Sequence, residues 1–154
     1  MKIVHGSPGF GSMLTEEQTT KFLTDKKLNL LLGTVDKNGD PFIHPVWFLY
    51  ENEKLCVETS KASTKVQNIH HKNTVYFCID DENLPYIGVR GKALVKISTG
   101  VEDNIPIAER IMVKYTGDLK NKVAKMLMDG VKGGQSAILE ISPTYYSTWD
   151  HSES

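Results

Sequence analysis

The residues best suited to chemistry lie in one segment, residues 59–68, which joins a predicted strand to a predicted helix. From Lys61 to Lys72 the chain has three lysines and no acid. The free amides and the dipole at a helix N-terminus attract anions. The segment therefore predicts a phosphate site in which Lys65 supplies the counter-charge. Its candidate hydroxyl ligands are Thr59, Ser60, Ser63 and Thr64.

The spacing within this segment leaves two interpretations open. Lys61 and Lys65 are four residues apart, which places them on one side of a helix. Ala62, Val66 and Ile69 follow the spacing of an apolar helical face and are predicted to pack inward. The alternative to a phosphate site is a capped surface helix with solvated lysines, because hydroxyl residues are common at helix caps.

A second candidate segment is residues 43–48, with the sequence Ile-His-Pro-Val-Trp-Phe. Pro45 removes a hydrogen-bond donor from a strand, so that strand must lie at an edge or contain a bulge. A sheet opening beside Trp47 suits a flat ring ligand, which needs backbone donors at its rim and apolar contact on its face. The alternative is that Trp47 and Phe48 are ordinary core residues.

The histidines, cysteines and glycines match no motif of a metal site, a nucleophile or a nucleotide-binding loop. None of the five histidines has H-x-x-x-H or H-E-x-x-H spacing. Cys56 and Cys78 fall in two predicted strands and are expected to be buried, unreactive thiols. The glycine-rich segments at 6–11 and 130–134 match neither G-x-G-x-x-G after a strand nor a P-loop. We predict no metal site from these residues.

Short strands and amphipathic helices must position these segments. A capping box at Thr15–Gln18 begins a helix over residues 16–25, and Asn38-Gly39 predicts a hairpin turn. The strands around that turn and the strand after it predict a three-stranded antiparallel meander. Two further helices are predicted near residues 107–115 and 119–127, the latter capped by Asp118 and ended by Gly130. Strands are predicted over residues 28–35, 41–50, 55–59, 74–80, 85–98 and 136–141.

Consecutive antiparallel strands with short turns favour a mainly β fold with some helix, a six-stranded antiparallel split β-barrel with flanking helices. The 154 residues suffice for one domain, which we assign to residues 14–150. Residues 1–13 are predicted as a flexible lead-in and 151–154 as a tail. A net charge of −1 argues against nucleic-acid binding, and no apolar run is long enough to span a membrane. These features are typical of a cytoplasmic protein.

Several motifs follow one another along the chain: Leu-Leu-Gly-Thr-Val at 31–35, Asn-Gly-Asp-Pro at 38–41, His-Pro-Val-Trp-Phe at 44–48, Thr-Ser-Lys at 59–61, Lys-Val-Gln-Asn-Ile at 65–69, Val-Arg-Gly-Lys-Ala at 89–93 and Trp-Asp at 149–150. In this order they resemble the pyridoxamine 5′-phosphate oxidase-like family of flavin-binding split β-barrels. The resemblance covers about residues 28–150.

The resemblance implies a homodimer with two cofactor sites at the subunit interface. It implies FMN as cofactor, or alternatively the deazaflavin coenzyme F-420. The sequences of residues 85–93 and 149–150 favour the deazaflavin branch of the family. Lys65 matches the family's basic phosphate-binding position, and Lys61 a second such position. The cofactor contacts that we predict are His44, Pro45, Val46, Trp47, Thr59, Ser60, Lys61, Ser63, Thr64 and Lys65.

The function implied is an FMN- or deazaflavin-dependent oxidoreductase acting on a small organic substrate. In this family the cofactor carries hydride or electrons and the protein orients it, so the resemblance implies no catalytic side chain. His70-His71-Lys72 stands where true pyridoxamine phosphate oxidases have an arginine-rich pattern, so vitamin B6 oxidation is not expected. The alternatives are a non-catalytic module that stores or senses a flavin or heme-type ligand, and a structural dimer without a ligand.

Overall fold

The structure is a computed structural model that describes residues 1–152. It contains four helices: α1 (Glu16–Asp25), α2 (Thr64–His71), α3 (Val101–Thr116) and α4 (Lys122–Lys132). It contains nine strands: β1 (Ile3–His5), β2 (Leu30–Val35), β3 (Pro41–Val46), β4 (Leu49–Glu51), β5 (Lys54–Ser60), β6 (Thr74–Asp81), β7 (Ile87–Ser98), β8 (Ser136–Pro143) and β9 (Tyr146–Asp150).

The main sheet has the strand order β3-β2-β6-β7-β8-β5-β4, and every neighbouring pair in it is antiparallel. Its two ends, β3 and β4, are consecutive in the sequence and are joined only by Trp47 and Phe48. A link of two residues can join the two ends of the sheet only if the sheet curls round. The fold is therefore a split β-barrel with flanking helices, and Trp47 and Phe48 cross its seam.

Two apolar clusters stabilise the fold, one inside the curled sheet and one between the sheet and two helices. The first fills the inside of the curled sheet, where alternate residues of each strand point inward; Leu32, Val57 and Ile79 are fully buried there. The second lies between the outer face of β5 and β8 and the helices α3 and α4. Its members include Cys56, Met112 and Ile138. One face of β5 therefore packs into the barrel and the other lies beneath the two helices.

The helix ends follow capping chemistry, with one displacement. The capping box at Thr15 and Gln18 begins α1 as predicted. Ser63 caps α2, so Ala62 lies before the helix and is exposed, contrary to the predicted inward face. Asn121 caps α4 in place of the predicted Asp118. The Asp118 carboxylate instead accepts hydrogen bonds from the amides of Lys120 and Asn121 in the preceding loop.

The nine strands exceed the predicted six for identifiable reasons. The predicted strand 41–50 is broken at the seam into β3 and β4, and the extended segment after β8 forms β9. The predicted meander is wrong because β3 pairs only with β2, whereas β5 pairs with β4 and β8. Within the predicted lead-in, β1 pairs in parallel with β9 through main-chain hydrogen bonds. Residues 153 and 154 of the predicted tail lie outside the described residues.

None of the four helices combines the length and the apolar composition needed to cross a bilayer, judged over residues 1–152.

Candidate functional site

A cleft with a volume of about 700 Å³ lies on the outer side of the barrel. It is bounded by the end of β3, the outer face of β5, the start of β8, helix α2 and the pair α3–α4. Its volume is typical of sites for small ligands and cofactors. Six of the ten predicted cofactor contacts line it: Pro45, Val46, Trp47, Thr59, Ser60 and Lys65.

The other four predicted contacts do not line this cleft. His44 pairs with the fully buried Leu32, so its side chain shares the inward face of the sheet. Ser63 uses its hydroxyl to cap α2 by accepting from the Val66 amide. Lys61 and Thr64 are exposed. The spacing predicts that Lys61 and Lys65 share a helical face. They do not, because α2 begins only at Thr64.

Lys65 is the cation of the cleft. Its side chain is half-buried and forms no hydrogen bond or ion pair with residues 1–152. Burial lowers its pKa, and the charge of the nearby Glu58 partly opposes this shift. A desolvated ammonium without a partner is a binding position for an anionic group of a ligand.

His44, on the inner face of β3, lies close enough to Lys65 to be affected by its charge. Burial and the charge of Lys65 both lower its pKa, which favours the neutral ring. Its Nδ1 atom is buried and has no hydrogen-bond partner among the described residues.

Glu58 is a cleft residue that the sequence analysis missed. One carboxylate oxygen accepts a hydrogen bond from the Ser136 hydroxyl at 2.6 Å. Burial raises the pKa of Glu58, while the Ser136 hydrogen bond and the Lys65 charge oppose the rise. The period of two along β5 places Cys56, Glu58 and Ser60 on one face, so an acid in the middle of an apolar strand was the available signal.

The helices α3 and α4 supply an apolar wall, which the sequence analysis also missed. This wall consists of Ile111, Met112, Val123, Met126 and Leu127. Met126 is 65% exposed although α4 packs closely on the barrel through Ala124 and Met128. The helical pattern had indicated an apolar face, but it did not indicate that part of this face borders a cleft.

Trp47 is held by α3. Its ring stacks on that of Tyr115 at a centroid distance of 4.8 Å and an interplanar angle of 4°. The Tyr115 hydroxyl accepts from the Phe48 amide and donates to the Leu28 carbonyl, at 3.2 and 2.7 Å. The Lys114 ammonium donates to the Phe48 carbonyl at 2.9 Å. The seam residues therefore take their position from α3.

The strand β3 lies at an edge of the sheet, as Pro45 required. Because β3 pairs only with β2, its other edge has main-chain groups without a sheet partner among the described residues. This free edge and the neighbouring Trp47 border the same cleft as Lys65. The cleft thus combines main-chain groups, an aromatic side chain and an unpaired cation, which fits a planar ring with an anionic tail. Within residues 1–152, no three acids, histidines or cysteines are placed to hold a metal ion.

An apolar patch continues from the cleft along the outer face of β3, β2 and β6. Ile43 and Pro45 lie two residues apart on β3 and share this face. Ile43 is 71% exposed and Tyr76 is 55% exposed, and both pair with Gly33 on β2, two residues from Leu31 on the same face. Exposed apolar residues that are contiguous over three strands are typical of an interaction surface.

Comparison with solved structures finds the same fold in several proteins. A conserved hypothetical protein from Mycobacterium tuberculosis matches with a TM-score of 0.79 and 19% identity, covering 94% of this chain and 89% of that chain. A structure described as an F420 reductase has a TM-score of 0.66 and 23% identity, covering 82% and 94% of the two chains. The heme storage protein HutZ from Vibrio cholerae has a TM-score of 0.64 and 15% identity, covering 83% and 89%.

No curated protein sequence matches the chain significantly. The family model described as pyridoxamine 5′-phosphate oxidase, however, matches residues 15–150. This range contains every strand and helix except β1, and it contains the whole lining of the cleft. With the split barrel and a match over most of its length, the chain belongs to the pyridoxamine 5′-phosphate oxidase family.

Proposed function

We propose that this protein is an FMN- or deazaflavin-dependent oxidoreductase that acts on a small organic substrate. The observation that carries the proposal is the half-buried Lys65, which has no ion pair among residues 1–152 and faces the same cleft as the free edge of β3. Lys65 would hold the anionic tail of the cofactor, with Thr59 and Ser60 beside it. Pro45, Val46 and Trp47 would border its ring.

A flavin or deazaflavin bound there would supply hydride transfer, which protein side chains lack. The chain's own part is to orient the ring and to exclude water from one side of it. Trp47, fixed by its stacking on Tyr115, provides a rigid aromatic surface for that purpose. The family membership and the similarity of fold to an F420 reductase support this assignment.

A homodimer is part of the proposal. The exposed patch formed by Leu31, Ile43 and Tyr76 adjoins the cleft through Pro45. A second copy packed on this patch would close the open side of the cleft, and each cofactor would lie between two subunits. We expect light scattering to give twice the chain mass and Ile43→Lys to give a monomer with weaker cofactor binding. A wild-type monomer at micromolar concentration contradicts this part.

The test of the cofactor site is titration of the purified protein with FMN and, separately, with the deazaflavin, followed by fluorescence. Lys65→Ala should weaken binding by about 1–3 kcal/mol, the range for a hydrogen bond to a charged group. Lys61→Ala is the matched control, since Lys61 is an exposed lysine outside the cleft. Equal losses in the two variants, or no binding of either cofactor to the wild type, would refute the site.

Turnover separates an enzyme from a binding module. The protein loaded with reduced cofactor should be reoxidised by an organic acceptor such as a quinone or a nitro compound. Stable binding without reoxidation by any acceptor would identify a non-catalytic ligand-binding protein.

A further inference from the structure

We propose that the second ligand of the cleft, the substrate of the proposed oxidoreductase, is an organic cation with an apolar body, and that Glu58 binds its cationic group. The proposal rests on the proposed function, since it assigns the part of the cleft that the cofactor tail does not need. It is carried by the placement of one carboxylate between an apolar wall and an unpaired lysine.

The outer face of β5 orders these groups along one line. Cys56 lies beneath α3 and α4, Glu58 follows, and Ser60 lies at the end of the strand next to α2. Alternate residues of a strand are about 7 Å apart. Along β5, Glu58 therefore lies about 7 Å from Ser60, on the side of the apolar wall.

The carboxylate of Glu58 is incompletely partnered. It accepts one hydrogen bond, from Ser136, and it forms no ion pair with any residue of 1–152, Lys65 included. A desolvated carboxylate is costly unless it is paired. The cleft thus contains one anion and one cation that do not neutralise each other in direct contact. This arrangement fits two ligand groups of opposite charge, an anionic tail at Lys65 and a cation at Glu58.

The apolar wall defines the rest of the ligand. Val123, Met126 and Leu127 on α4 and Met112 on α3 face the cleft. Methionine side chains adapt to ligands of different shape because they are unbranched and polarizable. A hydrocarbon or aromatic body packed on this wall would remove Met126 from solvent while its charged end reached Glu58.

The experiment compares three probes with the same aromatic body: 1-naphthylmethylamine, 1-naphthalenemethanol and 1-naphthoate. Their affinities are measured by calorimetry at slightly alkaline pH, with protein saturated with FMN and with protein free of it. In the FMN-loaded protein the amine should bind about tenfold more tightly than the alcohol, equivalent to about 1.4 kcal/mol. The carboxylate should bind least well.

Glu58→Gln removes the charge but keeps an oxygen that accepts from Ser136, so the fold is preserved. In this variant the amine should bind within about twofold of the alcohol, and FMN affinity should be retained. Glu82→Gln is the matched control, because Glu82 is an exposed acid outside the cleft. Met126→Ala should weaken all three probes about equally, whereas Val113→Ala, on the exposed side of α3, should not.

Three results would overturn the proposal. One is equal affinity of the wild type for the amine and the alcohol. Another is a Glu58→Gln variant that still binds the amine more tightly than the alcohol. This result is expected if Glu58 only balances the charge of Lys65. The last is a loss of FMN affinity in Glu58→Gln, which would assign the carboxylate to the cofactor. The protein free of FMN gives the same amine comparison, so a failure to bind FMN is distinguishable from a failure of this inference.

Discussion

The hydroxyl of Tyr115 accepts a hydrogen bond from the amide of Phe48, 67 residues earlier in the chain. The same hydroxyl donates to the Leu28 carbonyl just before β2. One side chain on α3 thus ties together the seam and the start of the strand that pairs with β3. Since Trp47 precedes Phe48 and borders the cleft, this bond links the stability of the seam to the shape of the site.

Tyr115→Phe should destabilise the protein by about 1–3 kcal/mol, because the buried Phe48 amide and Leu28 carbonyl lose their partner. The measurement is the free energy of unfolding in urea. FMN affinity should fall as well, since Trp47 loses part of its support. Thr20→Val, which removes an exposed hydroxyl on α1, is the control and should change neither quantity beyond error. A Tyr115→Phe protein as stable as the wild type would show that these two hydrogen bonds do not contribute measurably to stability.

Burial lowers the pKa of Lys114 to about 8 from an ordinary 10.5. Between these values the unfolded chain binds more protons than the folded chain, so this lysine makes the free energy of unfolding rise with pH. Its destabilising effect is fully present below pH 8 and disappears by about 10.5. The difference in unfolding free energy between wild type and Lys114→Met should therefore increase over that window.

The difference between the two proteins is the quantity to follow, because Cys56 acts in the opposite direction in both. Burial raises the pKa of its thiol to about 11, so its contribution to stability is lost as pH rises toward that value. Lys37→Met, at an exposed position, controls for the loss of one positive charge. A wild-type minus Lys114→Met difference that is flat over this window would contradict the assignment.

Gly91→Ala should be strongly destabilising, by about 1–3 kcal/mol or more. A Cβ at this position would clash with the carbonyl oxygen of Tyr145, a main-chain atom that cannot shift without moving the backbone. At Gly130 in α4 a Cβ would meet only the Ser136 hydroxyl, at 3.6 Å. Gly130→Ala should therefore stabilise by up to about 1 kcal/mol through helix propensity. Thermal melting of both variants checks the pair, and a shift of the same sign in both would refute it.

Asn68 fixes α2 to the barrel, because its amide donates to the Thr34 hydroxyl on β2 at 3.0 Å in a buried position. Asn68→Ala should cost about 1–3 kcal/mol of stability. FMN affinity should fall less than in Lys65→Ala, since the cation stays but its helix is less firmly held. Gln67→Ala at the neighbouring exposed position is the control. An FMN affinity lower in Asn68→Ala than in Lys65→Ala would mean that α2 is held mainly by this bond.

The local elements of this fold could be predicted because their signals are local. The Thr15–Gln18 capping box, the Asn38-Gly39 turn and the alternation along β7 each depend on a few neighbouring residues. Pro45 also predicted the edge position of β3 correctly. The pairing of β5 with β8 instead of β3 could not be predicted in this way, because it joins residues that are about 80 apart in the sequence.

The predicted contacts that line the cleft are those whose signal is contained in one segment. Lys65 and Trp47, predicted from their own neighbourhoods, both line it. Glu58 lines the cleft only because α3 and α4 cover the adjacent part of β5, which nothing near Glu58 in the sequence indicates. Ser63 was assigned to the ligand, whereas its hydroxyl caps α2.

The position of Trp47 and Phe48 across the seam links any opening of the barrel to the shape of the cleft. Trp47 and Phe48 both complete the circuit of strands and border or adjoin the ligand cleft. Widening of the gap between β3 and β4 would therefore displace Trp47, which the ring of the proposed cofactor would contact, while the central strands β6, β7 and β8 stayed paired. If the barrel opens at this seam, the same movement would open the cleft, and hydrogen exchange at the Phe48 amide would report on it.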